Sequence, residues 1–228
     1  EKSLDHSRNR GPDMAKRSSI QKDQIMKILL LLNITMIYGQ LITPTNEAVL
    51  NHTHVLFEWT QIPEATHYEM QLSEELNFSE PVLIIEDSSL IFTEKNIIDW
   101  DGTYYWRVRP LYNSQEGSWT EPFSFSTGSS LSSSTVDILI DTQIQPGITV
   151  FGAFFNYFSA ALDQSGKEIW NSGEDDLVYY STSNYGNILG CYLMSGTENN
   201  LPGLEVSFQG HVLWEEPNDE FLHHDMII

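Results

Sequence analysis

The feature that most constrains this chain is an internal echo near its C-terminus. Gly166-Lys-Glu-Ile-Trp170 recurs 44 residues later as Gly210-His-Val-Leu-Trp214, and at the same offset His223-His224 falls where Tyr179-Tyr180 stood. Short apolar runs separated by glycine turns surround both copies: Thr149–Phe154, Phe158–Leu162, Leu177–Tyr180, Ile188–Met194 and Leu204–Phe208. A unit of this length made of short strands cannot bury its apolar face alone. It has to stack on a neighbour of its own kind.

Upstream the pattern changes. Gly-Ser-Ser-Leu-Ser-Ser-Ser-Thr at 128–135 reads as a flexible polar linker and marks the clearest domain boundary. Before it, Val55–Trp59, Tyr68–Leu72, Val82–Ile85, Tyr104–Arg109 and Phe123–Phe125 alternate or run apolar between turn clusters at 61–66, 99–102 and 113–117. Short strands without helical period predict a β-sandwich, and an all-β chain overall. Trp59 is expected in the inter-sheet core. Tyr104 and Trp106 share one strand face, Tyr105 takes the other, and the stems of Arg107 and Arg109 cover aromatic surface from outside.

Residues 1–25 are polar, mildly basic and without apolar period, and read as a disordered extension. Met26-Lys27 then leads into the apolar run Ile28–Tyr38, followed by Gly39. That is the pattern of a cleaved secretory signal over 26–39, too short for stable membrane insertion, and it implies a secreted or periplasmic protein. Met26 is the expected true start. The single cysteine, Cys191, sits in an apolar run and reads as a core residue.

Charge narrows the partners. From Leu41 onward four Lys and Arg face 28 Asp and Glu, a net of −24. A surface of that sign repels phosphate backbones and argues against nucleic acid. His52, His54 and His67 lack a nearby set of further ligands, so no metal site is expected. Asn51-His-Thr53 and Asn77-Phe-Ser79 match glycosylation acceptors.

Two resemblances follow. Phe57-x-Trp59, Ala65-x-x-Tyr68, Tyr104–Arg109 and the run Gly117-Ser-Trp-Thr to Phe125-x-Thr127 resemble a fibronectin type III domain over 41–127. Such a domain implies a spacer or docking role, with a protein or glycan partner. In 136–228, Gly-x-x-x-Trp followed by Pro217-Asn-Asp-Glu-Phe-Leu-His-His-Asp225 resembles the exported bacterial arylsulfotransferases. That family is a six-bladed β-propeller, of which these residues would supply about two blades. The fold expectation is thus all-β, a fibronectin type III-like sandwich followed by the first blades of a truncated propeller.

The second resemblance implies a mechanism. His223 or His224, with His224 favoured, would match a channel histidine that takes a sulfuryl group from an aryl sulfate and passes it to a phenol. Asp225 would orient the imidazole. No cofactor is called for; the partners would be a phenolic donor and a phenolic acceptor. Four further blades, the family's arginine and at least one more functional histidine are missing from these 228 residues, so they are expected to be inactive alone. The competing reading is a non-catalytic secreted adhesin or binding protein that displays both units as interaction surfaces. A quinone-dependent dehydrogenase ranks last, for want of a stacking tryptophan and calcium-binding carboxylates.

Overall fold

In the computed structural model, which describes residues 40–113, 115–133, 136–137, 139–140, 143, 145–153, 157–192 and 202–217, every regular element is a strand. The first unit holds β1 (Leu41–Thr43), β2 (Ala48–Leu50), β3 (Val55–Trp59), β4 (His67–Ser73), β5 (Leu83–Asp87), β6 (Ile91–Glu94), β7 (Thr103–Tyr112), β8 (Gln115–Glu116) and β9 (Phe123–Thr127). Strands β1, β3 and β6 form one sheet, and β2, β9, β7, β4 and β5 the other, with β8 attached to β7. No helix among the described residues is long and apolar enough to cross a membrane.

Alternation explains the sandwich. In β7, Tyr104, Trp106, Val108 and Pro110 are buried while the residues between them are not, as a strand with one face on a core requires. Phe57 of the facing sheet meets Trp106 edge to face at 5.2 Å and Phe125 at 5.9 Å. Trp59 is buried there as its position predicts. The Tyr104 hydroxyl accepts the backbone N–H of Asp99 at 3.0 Å, the tyrosine corner of sandwich folds. Outside, Arg107 lies 4.1 Å over Phe78 and 4.2 Å over Trp119, and Arg109 lies 4.6 Å from Trp119. Arg109 also pairs with Glu69 and Glu116, so this face satisfies itself.

The second unit is two antiparallel meanders. One contains β10 (Thr149–Ala153), β11 (Phe158–Leu162) and β12 (Glu168–Asn171). The other contains β13 (Leu177–Thr182), β14 (Ile188–Tyr192), β15 (Gly203–Val206) and β16 (Val212–Glu215). Neither sheet closes on itself, and no strand joins them into a ring among the described residues. They pack face to face through Ala161, Ile169, Trp170, Leu177, Ile188 and Leu204. The Ser159 hydroxyl fastens them: it donates to the Leu177 carbonyl at 2.7 Å and accepts from the Tyr179 N–H at 2.8 Å. Gly152 permits this closeness, since a Cβ there would stand 2.7 Å from the Tyr179 nitrogen.

One turn design makes three of the hairpins. Asp163, Ser183 and Ser207 each donate their N–H to the carbonyl four residues on, and each takes the N–H of a glycine three residues on. Those glycines, Gly166, Gly186 and Gly210, have φ of 87°, 84° and 83°, a conformation that side chains resist. Side-chain oxygens of the first residues accept the turn N–H groups: Asp163 from Lys167 at 3.0 Å, Ser183 from Asn187 at 3.2 Å, Ser207 from His211 at 3.2 Å. The 44-residue echo is therefore two of these turns and the strands they launch.

Candidate functional site

The two units meet through main-chain pairing. The extended segment Asn51–Thr53 runs antiparallel to β12. Thr53 donates its N–H to Ile169 at 3.0 Å, Asn171 donates to Asn51 at 3.0 Å, and His52 bridges Trp170 between them. The sandwich thus lends the β10–β12 sheet a short fourth strand. Trp100 donates its indole N–H to the Glu168 carbonyl at 2.8 Å, and Lys167 pairs with Asp99 at 2.7 Å.

Glu168 is the fastener of this joint. Its side chain is 5% exposed and accepts the N–H of Leu131 at 3.0 Å and of Ser132 at 2.5 Å, and the Asn171 amide at 2.7 Å. A buried carboxylate is tolerable because donors surround it. The first residues of the 128–135 segment are in this way tied to the second unit. Asn51 is also packed in the joint, against Gly173, and Thr53 is buried, so this glycosylation match is not freely presented. Asn77 is exposed.

The histidines of the first unit have structural surroundings. His52 lies in the joint, and burial, then the neighbouring His54, lowers its pKa from the usual value. His54 is lowered by burial and by Lys95 and Lys167, against the opposing pull of Asp163 and Glu94. Burial would raise the Asp163 carboxyl, but the Ser165 hydroxyl, the turn N–H groups and His54 hold it below its usual range. His67 opens β4, exposed. Among the described residues no three His, Cys, Asp or Glu side chains group as a metal site.

The opposite end of the second unit is open. Trp170 of β12 is 5% exposed, stands edge to face with Phe208 at 5.3 Å, and donates its indole N–H to the Phe208 carbonyl at 2.7 Å. Its counterpart Trp214 of β16 is 41% exposed, beside Val212 at 58% and Leu213 at 55%. A cleft of about 190 Å³ sits against this sheet, with an apolar floor of Leu177, Leu204 and Val206 and a rim carrying Asp175, Asp176 and Glu215. The Tyr192 hydroxyl donates to Glu215 at 2.5 Å on the same side. After Lys167 the chain has eleven Asp and Glu and no Lys or Arg. The arrangement can attract and seat a cationic group over apolar surface.

His223, His224 and Asp225 lie outside the described residues. Their repeat counterparts are placed: Tyr179 shares a 3.0 Å hydrogen bond with Thr182, and Tyr180 accepts the Cys191 thiol at 3.0 Å. Cys191 is fully buried, and burial raises its pKa. The sequence marks Asn51 only as a glycosylation match and gives no direct sign of the roles of Glu168 or the β16 edge. An acidic residue opening the apolar strand Ile169-Trp170 directly after a glycine turn was the available signal for Glu168.

No protein-family model matches the chain, and no curated protein matches it. Solved structures similar to it include fibronectin type III domains. A Fn3-like protein from Clostridium thermocellum is 18% identical, at a TM-score of 0.31, covering 37% of this chain and 88% of that one. The fibronectin type III domain of human KIAA0970 protein is 17% identical at 0.32, covering 48% of this chain and 81% of that one. The FN1–FN3 domains of chicken CNTN1 are 10% identical at 0.34, covering 76% and 51%. None of these comparisons supports the arylsulfotransferase resemblance.

Proposed function

We propose that this chain is an exported, non-catalytic binding protein of the adhesin type. A fibronectin type III-like sandwich holds a two-meander unit, the start of a propeller-like array, and that unit presents an acidic docking surface. The observation that carries the reading is the cleft between Asp175, Asp176 and Glu215, set in a unit with no Lys or Arg after Lys167. Rigid coupling supports it, because a sandwich tied down by Glu168 and Trp100 presents the second unit in a fixed pose. Sulfuryl transfer depends on His223, His224 and Asp225, and nothing among the described residues favours it.

The test immobilises the intact protein and measures binding of poly-lysine, heparin and neutral dextran over a salt series. Salt-sensitive binding of the polycation alone is expected, at least tenfold weaker in D175N/D176N and unchanged in the sandwich variant E64Q/E121Q. Equal loss in both variants would sink the site assignment. Phenol-dependent release of nitrophenolate from 4-nitrophenyl sulfate would sink the non-catalytic reading.

A further inference from the structure

We propose that the free edge of β16 is a strand-addition site for an extended, Lys- or Arg-bearing segment of a partner protein. This deepens the binding reading by naming the contact and the partner's chemistry. The argument starts from equivalence: β12 and β16 occupy the same place in the 44-residue repeat, each following a hairpin turn with glycine at φ near +85°. The edge of β12 is occupied by the extended segment Asn51–Thr53 through two main-chain hydrogen bonds and the His52–Trp170 bridge. The edge of β16 pairs with no strand among the described residues. The fold thus shows, on the sister strand, what kind of element such an edge takes.

The character of β16 agrees. All four residues, Val-Leu-Trp-Glu, are exposed. Edge strands are normally guarded by lysine, proline or a bulge within the strand, because their unpaired N–H and C=O groups are a template for another chain. β16 carries no lysine or proline; its one irregularity is the register shift at Leu213, after which Trp214 and Glu215 pair regularly with Glu205 and Leu204. In strand addition the main chain supplies affinity and alternate side chains supply selectivity. Here Val212, opposite Val206, would meet an apolar side chain on the cleft face, and Trp214, opposite Glu205, would meet one on the other face.

Charge selects the occupant. Glu205, Glu215 and Glu216 lie on or beside the two outermost strands, within a stretch of eleven acids and no Lys or Arg. A second copy of this chain would bring the same negative charge, and its own Asn51–Thr53 is already engaged. A cationic extended segment from another protein meets both requirements.

The experiment titrates the full chain with acetyl-Lys-Val-Lys-Ile-Lys-Val-Lys-amide and follows backbone hydrogen exchange across 212–215. A second peptide of the same sequence is N-methylated at alternate residues, which blocks strand pairing on one edge and keeps the charge. Expected are slowed exchange at 212–215 with the parent peptide and at least tenfold weaker binding by the N-methylated one. The exposed-site variants Trp214→Lys and Val212→Lys should weaken the parent peptide to a similar degree. Equal affinity of the two peptides would overturn strand addition and leave the acidic binding surface standing. Protection of 212–215 that grows with protein concentration in the absence of peptide would overturn the proposed partner in favour of a second copy. Binding of neither peptide, nor of poly-lysine, would remove both readings.

Discussion

The indole N–H of Trp100 reaches the main-chain carbonyl of Glu168 at 2.8 Å across 68 residues of sequence. The same glutamate's carboxylate gathers the N–H groups of Leu131 and Ser132. One residue therefore holds the sandwich with its backbone and the connecting segment with its side chain.

Removing that carboxylate should cost more than an average substitution. Glu168→Ala leaves three donors without their acceptor in a buried place, an expected loss of about 2–4 kcal/mol, whereas Glu168→Gln keeps an acceptor oxygen and should lose less. Urea unfolding of the intact chain measures both. Indistinguishable midpoints for Glu168→Ala and the parent would show that the joint is not held this way.

The joint should also weaken in acid. His52 and His54 are lowered below the ordinary value of 6.5, so the unfolded chain binds protons that the folded chain refuses. Their neutral state is without penalty above that pH. As pH falls below it, stability is lost progressively until the lower folded-state value is passed. The difference in urea midpoint between pH 7.5 and pH 5.5 should shrink in His52→Gln/His54→Gln relative to the parent.

Repeat equivalence makes a sharp contrast between two tryptophans. Trp170→Ala removes a buried ring and its bond to Phe208, for an expected loss of about 3–5 kcal/mol. Trp214→Ala, at an exposed edge, should change stability by less than about 0.5 kcal/mol. Thermal unfolding of the pair decides it, and similar losses would mean that Trp214 is already covered.

Gly152→Val should loosen the two meanders. The added side chain meets the backbone of Tyr179, which cannot step aside as a flexible side chain would. Overpacking of this kind costs about 1–3 kcal/mol. Slower backbone exchange in β10 and β13 of the variant than of the parent would contradict the account.

Legibility in the sequence followed the reach of each interaction. β3 is legible at its observed bounds, Val55–Trp59, because an apolar run closed by Phe57-x-Trp59 between turn signals has the length of a strand, and its burial does alternate. In the second unit the glycine turns marked the hairpins, and β11 and β12 came out within a residue of Phe158–Leu162 and Glu168–Asn171. β1, β2, β6 and β8 were missed: at two to four residues they are too short to show a period. The joint was illegible for another reason. Asn51–Thr53 and β12 are over a hundred residues apart, and their contact is main-chain pairing, which any side chains permit. His52 and His54 drew notice for imidazole spacing, and their place turned out to be the seam between the units. Only tertiary placement separates a ligand pair from a seam.

The Asn51–Thr53 segment laid along β12 has one more consequence. It stops the array at its N-terminal side, since the edge it covers cannot template another strand. Among the described residues the β16 side is left unpaired. The molecule accordingly has a direction, with a blind end and a receptive end. A partner's strand added at the proposed site would extend the second sheet at β16, whereas the first is already extended at β12.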